Sequence, residues 1–481
     1  MSEIRAAIAP APVIPDAVKR GWLVPAIIGS ALLMQTLNAT VLSNALPTMA
    51  RALHEDPLRL NMAITMYLLA SAVFLPVSGW AADKLGAKRV LIAAMALYAL
   101  SSAACGLAHN LLELVLARIL QGSAGAMMVP VGRLVLLRTT PKTELVGAMS
   151  VLTMPALLGP VIGPIIGGAI VTFADWRWIF YMNLPVAIAG VILVTRFVPN
   201  VAEQEVSPID WAGIAMTGIG LAALIFGFEN LGRSLLPWPL VVGLFVAGLG
   251  SLGLYGRYAR GNPHAILDLG LFRIQTFTAS VVGGGFMRLA MGATPFMLAM
   301  LLQIGFGMSP FQAGLLTFMS AAGALIMKTT APPILRRFGF RRVLVANAVI
   351  TGVTFLAYAL FRPDTPRIAI MAILLVGGFF RSLQFTSLNG LAYADIDQGQ
   401  MSRASTMSSM AQQLTQSVGV GLAAMLLHSF MLMRHETHLT YEAISPAFLV
   451  IGAITFISIA FYVRLPKDAG DEMNGRHPAR P

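Results

Sequence analysis

Long apolar runs separated by short polar breaks extend along almost the whole chain. A helix that crosses about 30 Å of hydrocarbon needs around 20 apolar residues. Fourteen runs of about that length occur, at residues 21–45, 60–80, 90–108, 112–136, 146–172, 177–198, 209–229, 237–257, 275–302, 309–334, 343–361, 367–393, 404–433 and 444–463. The pattern predicts an all-α membrane protein with fourteen transmembrane helices, and their even number places both termini on the same side.

Composition supports a membrane protein and excludes most other classes. Hydrophobic residues make up 57% of the 481 residues and charged residues 11%, with a mean hydropathy of +0.76. A soluble chain carries about 25% charged residues, so soluble enzymes, disulfide scaffolds, fibrous repeats and disordered chains are excluded. The single cysteine, Cys105, allows no intrachain disulfide. Since the sequence contains no catalytic triad, nucleotide loop or metal-ligand spacing, we expect no enzyme activity, no metal and no cofactor.

The net charge of +12 comes from cations that lie mainly on one side of the predicted helices. The loops after even-numbered runs, together with both tails, carry 21 Lys and Arg residues, and the opposite loops carry 7. Because cytoplasmic loops are enriched in Lys and Arg, we predict that both termini face the cytoplasm. Residues 1–20 lack an apolar core, so we expect no cleavable signal peptide. The one-sided distribution of the cations therefore indicates a protein embedded in a lipid bilayer, and we expect no nucleic-acid partner.

A short basic segment occurs twice in the chain. Residues 83–91 (DKLGAKRVL) and 336–344 (RRFGFRRVL) each follow the second run of a six-run block, and their glycines are 253 residues apart. Two parallel six-helix repeats separated by two extra helices explain this distance, and a chance match of two basic loops is the alternative. The predicted organisation is a cytoplasmic tail (1–20), an N-terminal six-helix bundle (21–198), two additional peripheral helices (209–258), a C-terminal six-helix bundle (275–464) and a cytoplasmic tail (465–481).

The first copy of this segment belongs to a longer motif. Residues 79–89 (GWAADKLGAKR) resemble the loop signature of the major facilitator superfamily, although that family prefers Arg where this chain has Ala87. Gly79 permits close helix approach and Gly86 a tight turn. Asp83 can lie at a helix N-terminus, where negative charge is favoured, and Arg89 helps to hold the loop in the cytoplasm. We expect this motif to bias the inward–outward equilibrium rather than to bind substrate.

Two further motifs extend the resemblance. Residues 118–126 (RILQGSAGA), with Arg118 and Gln121, are similar to the Arg-x-x-Gln-Gly motif of the superfamily, and residues 159–168 (GPVIGPIIGG) resemble its antiporter motif. Glycines at every fourth position lie on one helix face and permit tight packing. The antiporter motif consists of Gly159, Pro160, Gly163, Pro164, Gly167 and Gly168.

Together with DWRWIFYMNLP at 175–185, these motifs are similar to the fourteen-span EmrB/QacA-like branch of the superfamily. Members of that branch export drugs in exchange for protons. The resemblance therefore implies a major facilitator fold with two six-helix bundles plus two inserted helices. It also implies secondary active export of small amphipathic compounds, in other words multidrug efflux, by alternating access.

Position 38 departs from the pattern of that branch. The branch typically has an Asp that is thought to carry the proton, whereas this chain has Asn38, whose amide does not titrate. Helical rise places Asn38 and Arg118 at similar depths, so packing of the first helix on the fourth would let the two side chains hydrogen-bond. The alternative is that Arg118 extends outward to the interface or only braces the helix pair. Proton antiport is thus implied by the resemblance but weakened by Asn38. A non-concentrative uniporter or a transporter-like membrane sensor is the alternative.

Three cations lie within runs of the second six-run block. Arg288 and Arg381 are near mid-membrane by residue count, and no Asp or Glu lies mid-span to balance them. Charged side chains at such depths usually face a hydrated cavity, so we expect the cavity to favour neutral or anionic amphipaths. Lys328 lies nearer the cytoplasm, where its side chain could either line a cavity or extend to the membrane interface. The candidate substrate and coupling residues are Asn38, Arg118, Gln121, Arg288 and Arg381. We expect a monomer, with a periplasmic adaptor as an open possibility.

Overall fold

A computed structural model describes residues 22–55, 60, 62–199, 208–231, 236–262, 265–308, 310–436 and 440–474. The predicted N-terminal tail, 1–20, lies outside these residues. The described residues form helices and no strand, which confirms the all-α prediction.

We number fourteen long helices within the described ranges, together with a few short 3₁₀ turns. They are α1 (Leu23–Ala52), α2 (Met62–Phe74 and Val77–Leu85), α3 (Ala87–Leu107), α4 (Leu111–Thr139), α5 (Leu145–Phe173), α6 (Trp178–Phe197), α7 (Trp211–Asn230), α8 (Trp238–Gly261), α9 (Gln275–Gly305), α10 (Pro310–Phe338), α11 (Phe340–Ala359), α12 (Arg367–Leu391), α13 (Met401–Met433) and α14 (Tyr441–Tyr462). Among the described residues, 11 helices are long and apolar enough to cross a membrane, or 12 with the bent α2 counted as one span. The fourteen-span count itself stays a prediction.

The helices pack in two sets with the same pattern of neighbours. In the N-terminal half (α1–α6), α1 packs on α5, α2 on α4, and α3 on both α4 and α6. In the C-terminal half (α9–α14), α9 packs on α13, α10 on α12, and α11 on both α12 and α14. Each pair in the second half thus lies eight helices after its counterpart. The contacts between the halves show the same offset of eight helices. α5 packs on α10, and the corresponding pair, α13 and α2, also packs together.

The two inserted helices differ in their surroundings. α7 packs on α8 and also on α2 and α13, so it covers one of the two lines along which the halves meet. α8 packs mainly on α7 and is largely exposed on its other faces. α7 is thus in direct contact with both halves, whereas α8 is not. The predicted division of the chain, with 209–258 as a peripheral insertion, stays a prediction.

The repeated basic segment adopts the same backbone turn in both halves. Gly86 links α2 to α3 with φ of 85°, and Gly339 links α10 to α11 with φ of 76°. Glycine adopts this left-handed conformation without steric cost, which explains its position in both copies. We refer to the end of the molecule that contains Gly86 and Gly339 as the predicted cytoplasmic end.

α2 bends by 57° just before this turn. Its first segment ends at Phe74, and its second segment, Val77–Leu85, begins after Pro76. A proline removes a backbone donor and is a common cause of helix bends. The bend directs the second segment of α2, which carries Gly79 and Asp83, toward the start of α13.

Candidate functional site

A row of small hydroxyl side chains on α13 joins the two halves at the predicted cytoplasmic end. We call Ser402, Ser405, Thr406 and Ser409 the hydroxyl seam; all four are buried. Ser402 Oγ donates to the Gly79 carbonyl oxygen at 2.9 Å, and Ser405 Oγ donates to the carbonyl oxygen of Pro130 at 3.0 Å. Ser402 and Ser405 thus bind the N-terminal half through neutral hydrogen bonds, which are worth about 1 kcal/mol each. Such an interface can separate at a modest cost in free energy.

Gly79 provides the closest approach along the seam. A Cβ atom on Gly79 would lie 2.6 Å from Thr406 Oγ1 and 2.9 Å from Ser402 Oγ. These distances leave no space for a side chain, so the glycine predicted to permit close helix approach does so between the two halves.

Arg133 of α4 is a second link between the halves, and sequence reasoning did not single it out. Its side chain is buried and reaches Tyr393 Oη at 3.3 Å and Ser409 Oγ at 3.4 Å. Both partners belong to the C-terminal half. Residue count alone placed Arg133 close to the end of a span, where a cation needs no special explanation.

The motif acid Asp83 forms an ion pair inside the N-terminal half. Its Oδ1 lies 2.6 Å from Arg138 Nη2 at the end of α4, and both side chains are mostly buried. The sequence suggested that Asp83 contacts a helix N-terminus, whereas the structure shows Asp83 paired with Arg138. Nearby, Lys88 Nζ donates to the Thr195 carbonyl oxygen at 2.8 Å, and Arg89 is exposed. The Asp83–Arg138 pair holds the second segment of α2, and with it Gly79, against α4.

Replacing Asp83 with asparagine should therefore slow transport without removing the substrate site. Loss of one partner of a buried ion pair costs about 3–5 kcal/mol, and here the cost falls on the segment that positions Gly79. We expect turnover to fall about tenfold or more while the substrate affinity of the binding-competent state is retained. Turnover in proteoliposomes and equilibrium binding, measured on the same preparation, separate the two effects. Normal turnover in Asp83→Asn would refute this role.

Asn38 lies in a buried polar cluster in the middle of the N-terminal half. Its Nδ2 donates to Tyr98 Oη on α3 at 2.8 Å, and Tyr98 is also hydrogen-bonded to Tyr67 of α2. Asn38 Oδ1 has no partner among the described residues. The direct bond to Arg118 is therefore not formed: Asn38 Oδ1, the atom that would accept it, has no described partner, and Arg118 donates to Ala63 and Gln121 instead.

Arg118 occupies the other side of the same cluster. Its Nη1 donates to Gln121 Oε1, and its Nε donates to the Ala63 carbonyl oxygen at 3.2 Å. Its guanidinium lies 4.3 Å from the centre of the Tyr67 ring, a cation–π contact. Gln121 in turn donates to Ser102 Oγ at 2.6 Å. The structure thus brings Asn38, Arg118 and Gln121 into one network through two tyrosines that sequence reasoning missed.

The glycines of the antiporter motif pack α5 against α1. A Cβ atom on Gly159 would collide with Thr36, and one on Gly167 would lie 3.1 Å from Val41 Cγ1. Gly163 is buried between them along the same helix face. This agrees with the tight packing that the spacing predicts. The side chains at Pro160, Pro164 and Gly168 lie outside the described part of the structure.

The two mid-span arginines of the C-terminal half are buried in separate places. Arg288 Nη1 donates to the Ser280 carbonyl oxygen at 2.8 Å, while its Nε and Nη2 have no partner among the described residues. Arg381 Nη2 donates to Ser320 Oγ, and Arg381 is 9% exposed. No described carboxylate forms an ion pair with either guanidinium. Their role in substrate binding stays a prediction.

Lys328 of α10 is buried and bridges the halves. Its Nζ lies 2.6 Å from Thr153 Oγ1 on α5 and 2.9 Å from Thr386 Oγ1 on α12. The sequence left a cavity and the membrane interface open for Lys328, and the structure shows its ammonium buried between the two halves. Within the described residues, no group of three or more metal-ligating side chains is present.

Comparison with known proteins assigns the chain to a family. The family model of the Major Facilitator Superfamily matches residues 28–259 and 280–479. The MdtD protein of Salmonella typhimurium, provisionally named a multidrug resistance protein, is 37% identical over 456 residues, covering 93% of this chain and 95% of its own length. MdtD of Salmonella typhi matches to the same extent.

Two solved structures share the fold at low sequence identity. The human organic anion transporter MFSD10 (TETRAN) has a TM-score of 0.66 at 14% identity and covers 92% of this chain and 99% of its own. The proton:xylose symporter XylE, bound to 6-bromo-6-deoxy-D-glucose, has a TM-score of 0.63 at 14% identity, with 95% and 98% covered. The predicted major facilitator fold is confirmed, and the chain belongs to the Major Facilitator Superfamily.

Proposed function

We propose that this protein is a secondary transporter of the bacterial inner membrane that exports small amphipathic compounds by alternating access. The observation that carries the proposal is the interface between two similarly packed halves, in which α13 meets α2 at Gly79 and through neutral hydrogen bonds of Ser402 and Ser405. Hydrogen bonds of two cations, Arg133 and Lys328, also join the halves. An interface of this kind can open and close as one half rocks against the other. The relationship to MdtD supports small drug-like compounds as the cargo.

The rigid units of this motion are the two halves, residues 21–198 and 275–464, with 209–258 as an insertion. The hydroxyl seam closes the route at the predicted cytoplasmic end in the conformation described here. Opening at this end would break the bonds of Ser402 and Ser405 and those of Arg133. α7 contacts both α2 and α13, so it must slide along at least one of them.

Coupling to protons is the part of the proposal in which Asn38 matters. An amide cannot take up or release a proton at this position, so the usual carrier is absent from the cluster that contains Tyr98, Tyr67 and Arg118. We propose antiport with weakened proton coupling at position 38. A uniporter is the second candidate, and the same observation, an amide in place of the usual acid at position 38, favours it.

Transport in proteoliposomes with a pH gradient and a voltage applied separately tests the proposal. A transporter moves a fluorescent amphipath across the membrane, and an antiporter concentrates it when the pH gradient is imposed. A uniporter equilibrates the compound without concentrating it. If purified protein in sealed vesicles moves none of a chemically varied set of amphipaths, the transport function is wrong and a sensor is favoured.

The charge of the cargo should matter, because Arg288 and Arg381 lack described counter-charges. A like charge at about 8 Å in a medium of effective dielectric about 20 costs ~2 kcal/mol, which corresponds to roughly 30-fold in rate. We expect neutral and anionic amphipaths to be exported in preference to a dication of similar size. Arg381→Gln should raise dication export, whereas Arg381→Lys, which keeps the charge, should not. Strong export of the dication by the unmodified protein, unaffected by neutralising both arginines, would contradict the expectation.

A further inference from the structure

A crevice of about 380 Å³ lies between α5 and α10 at the predicted cytoplasmic end. Ser150 and Met154 of α5 line one wall, and Lys328 and Arg336 of α10 line the other, with Trp22 just before α1 also in contact. α5 and α10 belong to different halves of the protein. The crevice is therefore a recess in their interface, separate from the hydroxyl seam between α2 and α13.

The inner end of the crevice holds a buried cation without a described counter-ion. Lys328 is 5% exposed, and its ammonium donates two hydrogen bonds, to Thr153 Oγ1 and Thr386 Oγ1. An ammonium has three protons to donate, so one remains. A buried charge is costly unless it is paired. No ion pair joins Lys328 to any described residue, and this leaves the crevice as the direction from which an anion can reach it.

The charged residues that line the crevice, Lys328 included, are positive on balance. Arg336 lies eight residues after Lys328 on α10, which places it on the same helix face about 12 Å nearer the helix end. Glu144 and Thr143 lie on the opposite rim. With two cations against one carboxylate, the crevice presents a net charge of one positive unit to a ligand.

Most of the remaining lining is apolar, and part of it is exposed at the surface of the protein. Val151, Met154 and Pro332 line the crevice, and Met154 is 40% exposed at the surface of α5. Trp22 is 57% exposed, and an indole at a helix end is typical of the membrane–water interface. A ligand that fits must therefore combine an acidic group, for Lys328, with an apolar part that can remain in the bilayer.

We propose that the crevice binds the acidic headgroup of an amphipath from the cytoplasmic leaflet, with the anion hydrogen-bonded to Lys328 and steered by Arg336. A phosphate or carboxylate has the required chemistry, and it can belong to a membrane lipid or to an acidic cargo molecule. Basic pockets between helices on the cytoplasmic side suit such headgroups. Because the crevice joins α5 to α10, a bound anion would stabilise the conformation in which these helices are in contact. Binding itself does not depend on the proposed transport.

Binding can be measured on detergent-purified protein by native mass spectrometry with four probes. Phosphatidylglycerol and dodecyl phosphate are acidic amphipaths, phosphatidylcholine is a lipid of no net charge, and inorganic phosphate is an anion without a tail. We expect the two acidic amphipaths to bind at least about tenfold more tightly than phosphatidylcholine, since charged hydrogen bonds are strong. Binding of phosphatidylglycerol alone identifies a lipid site, and binding of dodecyl phosphate alone identifies a site for smaller acidic cargo. Equal binding of all lipids, or tight binding of inorganic phosphate alone, would overturn the proposal.

Variants locate the bound anion. Lys328→Met should lower affinity about tenfold or more, Lys328→Arg should retain most of it, and Arg336→Gln should lower it less. Arg337→Gln is the matched control, because it removes the same charge from the adjacent position, which does not line the crevice. If Lys328→Met is unstable, the exposed Arg336→Gln variant still tests the site. Unchanged binding in both variants, or an equal loss in Arg337→Gln, would show that the headgroup binds elsewhere.

Discussion

Replacing Gly79 with valine is expected to abolish most transport. The Cβ position at Gly79 is 2.6 Å from Thr406 Oγ1 and 2.9 Å from Ser402 Oγ, so a branched side chain would force the two halves apart at the hydroxyl seam. Overpacking of this kind costs ~1–3 kcal/mol, which lowers the population of the closed form about 5- to 150-fold. Initial rates of substrate efflux in proteoliposomes, normalised to reconstituted protein, measure the effect.

Two controls separate the seam from general damage to a helix. Gly243→Val on α8 introduces the same side chain where nothing beyond the neighbouring residues and backbone of its own helix lies within 4 Å of the Cβ position, and it should leave efflux nearly unchanged. Gly79→Ala should reduce efflux less than valine, and adding Ser402→Ala and Thr406→Ala should restore part of it by removing the two oxygens. Full activity of Gly79→Val would mean that these halves need not close at this end.

Replacing Asn38 with aspartate is expected to strengthen the response of transport to a pH gradient. A carboxyl at position 38 would lie beside Tyr98 Oη and in the field of Arg118, where it could bind a proton in one conformation and release it in the other. One pH unit is worth about 1.4 kcal/mol per proton. Each imposed unit would then support up to about tenfold more accumulation of substrate, for an exchange of one proton per molecule.

The comparison needs a variant that changes the cluster without adding an acid. Asn38→Ala removes the amide and its bond to Tyr98, and we expect it to change transport rate but not the dependence on the pH gradient. Accumulation of one substrate is measured at several imposed gradients for the unmodified protein and both variants. If the unmodified protein already performs full pH-driven antiport, and Asn38→Asp leaves it unchanged, position 38 does not control coupling.

Features set by local chemistry could be predicted from the sequence. The glycine turns at Gly86 and Gly339 followed from a repeated segment, and the backbone φ values agree. The glycine spacing of the antiporter motif predicted a tightly packed face, which α1 covers. In each case the residue type and spacing determine the geometry without knowledge of distant partners.

Features that depend on how helices face one another could not be predicted. Asn38 bonds to Tyr98 rather than to Arg118, because helical rise gives depth in the membrane but not rotation about the helix axis. Arg133 was missed because its partners, Tyr393 and Ser409, lie in the other half.

The hydroxyl seam did leave a signal in the sequence. Ser402, Ser405, Thr406 and Ser409 recur at intervals of three and four residues, which places them on one face of α13. Small hydroxyl side chains on one face of a transmembrane helix indicate a helix–helix interface. This spacing alone does not identify the partner helix, and contact with Gly79 became evident only from the packed structure.

Reciprocal opening of the two ends is the central claim, and spin-label distances across each end test it most directly. In a Cys105→Ser background, Leu85→Cys with Phe338→Cys reports on the predicted cytoplasmic end, and Leu112→Cys with Ile368→Cys on the opposite end; all four positions are exposed. Distances are compared with and without transported substrate and at two pH values. The account predicts that one distance increases as the other decreases. Distances that both stay constant, or that change in the same direction, while the labelled protein transports substrate, would contradict alternating access.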